Sequence, residues 1–134
     1  MKLIFCIDKN KGMMFFGKRQ SQDSTLREWI LHHTAGNKLW MSTYSSKQFK
    51  DLTGYLVDDD YIAKAVPGDY CFIEDKGYNL DLVSEIILCH WNRKYQADVI
   101  FDIDLKANGF KKVECQDIQG SSHDKISIEI FRKV

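Results

Sequence analysis

The chain has 134 residues, 44% hydrophobic and 28% charged, and its 19 basic residues balance 19 acidic ones. That is the length of one ordinary domain, able to bury a core without staples. Zero net charge excludes a global electrostatic pull toward nucleic acid or an anionic membrane.

Lys2 to Ile7 is a continuous apolar run, as expected of a strand buried on both faces of a sheet. It stops at Asp8-Lys9-Asn10-Lys11-Gly12. Met13 to Gly17 then reads as a loop that exposes Met and Phe side chains. A helix starts near Ser21 or Asp23, both good caps, and Thr25 with Glu28 has capping-box spacing. Leu26, Trp29, Ile30 and His33 fall on one helical face, and Gly36 ends the helix.

Lys38 to Met41 is a second short strand, and a strand, helix and strand of these lengths form a parallel crossover. Ser45 or Ser46 caps a short helix that Gly54 closes, Tyr55 to Val57 is a third strand, and Asp58-Asp59-Asp60 is a turn. Pro67-Gly68 is another turn. Tyr70 to Ile73 and Glu85 to Trp91 are further strands, with one helical turn at Leu80 to Val83 between them. Asp98 to Leu105 alternates apolar and acidic residues, which places Asp102 and Asp104 on one face of a strand. Phe110 to Cys115 and Ile126 to Phe131 form a hairpin around a long polar loop.

Cys6, Cys71, Cys89 and Cys115 lack CxxC spacing and are expected to be reduced core thiols. No segment approaches the ~20 apolar residues that cross a bilayer. The N-terminus has no signal-peptide pattern, so the expected location is cytoplasmic. The expected fold class is α/β: a single domain over residues 1–134, with a mostly parallel twisted sheet flanked by helices and an antiparallel C-terminal hairpin.

Three stretches resemble the dihydrofolate reductase fold family: Ile7-Asp8-Lys9-Asn10-x-Gly12, Thr34 through Phe49 around Leu39-Trp40-Met41-Ser42-Thr43, and Glu85 to His90 with the closing strands. The resemblance implies that scaffold in truncated form, a central cleft at the strand ends, and a final hairpin whose turn approaches the loop before the first helix. It also implies lost chemistry. The acid that helps protonate a pterin in that family falls on Leu26, and its cofactor-binding glycine pair is replaced by Glu74-Asp75. Two carboxylates there would repel a pyrophosphate. Arg19-Gln20-Ser21-x-Asp23, Leu39-Trp40-Met41, Trp91-Asn92-Arg93 and Gly120-Ser121-Ser122-His123 are also similar to a small clostridial family, some of whose members are labelled ribonuclease Z. His32, His33, His90 and His123 do not have the spacing that a two-zinc hydrolase needs.

The leading expectation is a protein that binds a small anionic or heterocyclic ligand and no longer carries out the reductase reaction. Gln20, Asp23, Trp40, Ser42, Thr43, Ser45 and Lys125 are the candidate binding residues, with Arg19 to grip an anion. Ser42 to Ser46 surround a helix start, a place suited to an anion. One alternative is a nuclease or phosphodiesterase that uses His123 and Arg19 as catalytic groups with Lys125, or an Mg²⁺ site of Asp8, Glu74 and Asp75. Ser122-His123-Asp124 is not a triad, because sequence neighbours rarely point at one another correctly. A second alternative is an interaction module that displays Met13-Met14-Phe15-Phe16. No cofactor, metal or oligomeric state is specified, and neither nucleic acid nor membrane is an expected partner.

Overall fold

The computed structural model describes residues 1–75 and 78–134. Its chain order begins with β1 (Lys2–Ile7), β2 (Gly12–Phe15), β3 (Lys18–Arg19), α1 (Ser24–Thr34), β4 (Leu39–Met41) and α2 (Thr43–Ser46). It continues with β5 (Leu56–Val57), α3 (Tyr61–Lys64), β6 (Tyr70–Phe72), β7 (Glu85–His90), β8 (Val99–Ile100), β9 (Phe110–Ile118) and β10 (Ile126–Lys133). The main sheet has the order β5-β4-β6-β1-β7-β10-β9, and β3-β2-β8 form a small second sheet. β1 runs parallel to β6 and β7, β4 runs parallel to β5 and β6, and β10 is antiparallel to both β7 and β9. This is the expected mixed sheet with a C-terminal hairpin.

Alternation along β1 divides the core. Leu3, Phe5 and Ile7 pack with Ile86, Leu88, Phe101, Ile103 and Phe110 on one face. Ile4 packs on the other with Leu26 and Ile30 of α1, Phe49, Phe72 and Trp91. α1 presents Leu26, Ile30 and Thr34 inward, a helical spacing. Its cap is Asp23, whose side chain accepts from the Thr25 and Leu26 N–H groups, so Thr25 is inside the helix and not its cap. Gly36 follows the helix at φ +89°, a left-handed position where a glycine avoids Cβ strain.

Several local expectations are corrected. Residues 12–15 form β2 rather than a loop, and Met13 and Met14 are buried, because β2 pairs with β3 and β8. Only Phe16 of that hydrophobic quartet is strongly exposed. The cap of α2 is Ser42, not Ser45 or Ser46: its side chain accepts from the Ser45 N–H. In residues 98–105 only Val99–Ile100 is a strand. Phe101 and Ile103 still point into the core while Asp102 and Asp104 face solvent, so the alternation survives without the ladder. Cys71 and Cys89 are buried and Cys6 is partly so, but Cys115 is exposed on the outer strand β9. Burial pushes the Cys71 thiol up to about 12. Among the described residues no helix is long and apolar enough to cross a membrane.

Candidate functional site

Three arrangements occupy the carboxyl ends of the central strands, where an open α/β sheet places its ligands. The first is a clasp. Arg19, at the end of β3, meets Glu74, just past β6, through Nε–Oε2 at 3.0 Å and Nη2–Oε1 at 3.1 Å. Ser45 Oγ donates to Glu74 Oε1 at 2.8 Å, and the Gln48 amide approaches at 3.4 Å. The guanidinium also donates to the Tyr44 carbonyl and lies over the Tyr44 ring at 4.4 Å. Two-pronged geometry and shared hydrogen bonds make this a well-compensated pair. It closes the central cleft: the gap bordered by Arg19, Gln20, Ser21, Gln48, Glu74 and Trp91 keeps about 10 Å³ of free volume, roughly one water.

The second arrangement joins the start of α1 to the loop between β9 and β10. The Asp23 carboxylate accepts from the N–H groups of Thr25, Leu26, Ser121 and Ser122 and from His123 Nδ1 at 3.0 Å. Burial alone would raise this carboxyl, but the bonds from Ser122, His123, Ser121 and Leu26 outweigh it and hold it well below the usual range. His123 is buried, stacks on Trp91 at 4.6 Å, and its Nε2 lies 2.9 Å from Ser21 Oγ and 3.4 Å from the Tyr95 hydroxyl. Gly120 admits no side chain here, since a Cβ would stand 2.4 Å from Asp23 Oδ2.

The third is an open chamber of about 600 Å³ on the sheet face opposite α1. Ile7, Leu88, Phe101 and Ile103 supply its apolar floor, and Lys9, Lys11, Asp102, Asp104 and the His90–Glu129 pair its polar rim. Asp8 lines the chamber and accepts from the amide of Gln20, which borders the cleft. Burial would raise the Asp8 carboxyl, but bonds from the Gly12, Tyr95 and Asn10 N–H groups and from the Gln20 amide leave it below its ordinary value.

The sequence candidates therefore scatter. Arg19, Gln20 and Ser45 reach the cleft region, Asp23 and His123 form the second network, and Ser42 caps α2 beneath the clasp. Trp40 turns away, donating from Nε1 to Asp69 at 3.0 Å, at the opposite end of the strands. Thr43 offers its N–H and hydroxyl to Asp59, so the start of α2 is filled by a carboxylate of the chain itself. Lys125 is exposed and borders a separate shallow hollow with Lys9, Asn92 and Asp124, while Arg19 is spent on Glu74. The His123–Lys125–Arg19 convergence is thus not formed. Nor do Asp8, Glu74 and Asp75 gather: Asp8 is occupied by N–H donors, Glu74 by Arg19, and Asp75 is exposed. Among the described residues no group of three or more His, Cys, Asp or Glu is placed to hold a metal. The hairpin turn does dock at the loop before α1, but it meets Asp23 and Ser21 rather than Arg19. Glu74 as the partner of Arg19, and Ser21 as the partner of His123, lie 55 and 102 positions away in sequence, and no local pattern announces either.

No family model matches this chain, and no curated protein does. Among solved structures it is similar to a dihydrofolate reductase from Enterococcus faecalis complexed with NADP(H) and RAB-propyl, with a TM-score of 0.66 and 13% identity over 98% of this chain and 94% of that one. The fold is therefore that of the dihydrofolate reductases.

Proposed function

We propose that this chain is a small-ligand-binding domain on a dihydrofolate-reductase-like scaffold that no longer performs the reductase reaction. One observation carries this: the Glu74 carboxylate stands where the family's glycine pair is expected, and Arg19 holds it across the cleft. A dinucleotide would have to break that pair and face Glu74 and Asp75. Leu26, in place of the protonating acid, is core.

The ligand's place is the open chamber. Its volume lies within the ~300–1,000 Å³ usual for small-molecule sites, whereas the cleft has room for about one water. Phe101 and Leu88 would take the face of a heterocycle, and Lys9 with Lys11 an anionic group. The test is a thermal-shift screen with nucleotides, pterins and nicotinamide cofactors on the chain and on a Lys9→Glu/Lys11→Glu variant. Stabilisation by an anionic heterocycle that the variant loses supports the reading. Strong stabilisation by NADPH with turnover of dihydrofolate overturns it.

A further inference from the structure

Ser21, His123 and Asp23 lie in one hydrogen-bonded line: Ser21 Oγ to His123 Nε2 at 2.9 Å, and His123 Nδ1 to Asp23 Oδ2 at 3.0 Å. A carboxylate only accepts, so Nδ1 carries the proton toward Asp23. In the neutral ring Nε2 is then left to accept from the Ser21 hydroxyl, the direction a general base requires. The ring is held by stacking on Trp91 at an interplanar angle of 25°, and Asp23 by four backbone N–H groups. Ser21 itself is only partly buried and borders the residual gap of the cleft. Gln20 borders that gap too, and its Oε1 is, among the described residues, a buried side-chain acceptor without a partner. Its amide nitrogen is committed to Asp8 and the Gln96 carbonyl, which fixes the orientation.

We propose that Ser21, His123 and Asp23 form an acyl-transfer site that takes short-chain esters. Ser21 Oγ attacks the ester carbonyl and forms the new C–O bond while its proton passes to His123 Nε2. The acyl–oxygen bond to the leaving alcohol breaks, and His123 returns the proton to that alcohol. Water, deprotonated by the same nitrogen, then releases the acid and restores Ser21. Asp23 stays ionised throughout and acts as a positioning residue through His123. The residual gap has room for about one water, so the ester approaches Ser21 from its partly exposed side, and a short acyl group is the least obstructed there.

This inference does not rest on the small-ligand reading. A chain that bound nothing in the chamber would still acylate Ser21, and loss of the Lys9/Lys11 site would leave it intact.

The probe is p-nitrophenyl acetate in a Cys115→Ser background, with nitrophenol release followed by absorbance and the acetyl group located by peptide mass mapping. The expected result is acetyl on Ser21 and release about 10²-fold or more faster than in Ser21→Ala. That variant leaves the Asp23 network in place and is expected to fold. Asp23→Asn in refolded material should shift the pH profile of release, which a merely structural role would not do. p-Nitrophenyl octanoate should react more slowly than the acetate. Acetyl found on lysines with Ser21 unmodified, or equal release rates for the chain and Ser21→Ala, overturns the proposal.

Discussion

The central cleft, bordered by Gln20, and the open chamber, bordered by Asp8, are linked by the hydrogen bond between those two side chains, yet they have opposite fates. Around the cleft every charged group named above is answered from within the chain: Arg19 by Glu74, Asp23 by His123 and backbone donors, Asp8 by N–H groups. Around the chamber Lys9, Lys11, Asp102 and Asp104 are exposed above an apolar floor. A desolvated charge is costly unless paired, so the buried side has closed on itself. A solvated rim bears no such cost and can stay open to a ligand. Polar residues at strand ends line an open ligand cavity only when the fold leaves their hydrogen-bonding capacity unspent.

The largest break in this comparison should come from Asp23. Asp23→Ala strips the cap of α1, orphans the Ser121 and Ser122 N–H groups and leaves His123 unpaired, so urea unfolding should show a loss of about 3–5 kcal/mol. The pH dependence follows from the depressed carboxyl. Its folded value lies below the unfolded one, so its contribution is present above the ordinary Asp range near pH ~4 and is lost as pH falls through the folded value. The acid limb of stability should therefore be shallower in Asp23→Asn than in the unaltered chain.

Next in size is the clasp. Glu74→Ala leaves the Arg19 guanidinium largely buried without its partner, at a cost of about 2–4 kcal/mol by chemical denaturation. The double variant Arg19→Met/Glu74→Leu should recover most of that loss, since apolar replacement of a buried pair is often close to neutral. A double variant as unstable as the single one would mean that the clasp is not self-contained. Gly120→Ala should cost about 1–3 kcal/mol, because the added methyl collides with the Asp23 carboxylate. The smallest effect belongs to the chamber rim. Lys9→Glu with Lys11→Glu should move stability by no more than about 0.5 kcal/mol while abolishing the anionic-ligand response.

How much of this was legible varies with distance along the chain. Lys2 to Ile7 and Ile126 to Phe131 announce themselves as strands because burial on a sheet face repeats locally. The first helix is equally readable, its start near Asp23 and its end at Gly36, since capping involves immediate neighbours. Met13 to Gly17 reads locally as a loop because hydrophobic residues in a short run are buried only if β8, more than eighty positions on, comes to pair with them. Ser42 and Thr43 were good candidates as a helix start, but Asp59 from the next turn fills it. The sequence neighbours of Trp40 point it to the cleft, while its place in the sheet sends its indole to Asp69.

By itself the sequence determined the α/β order, the inward faces of β1 and α1, and the start of the first helix near Asp23. These are properties of spacing and residue type, and short-range sterics and hydrophobic burial suffice to express them. Only the tertiary structure decided that Arg19 closes on Glu74, that Ser21, His123 and Asp23 align, and that the open volume lies behind the sheet rather than in its cleft. Each of those depends on bringing together groups tens of positions apart, and hydrogen-bond geometry is set by the packing that places both partners, not by either segment alone.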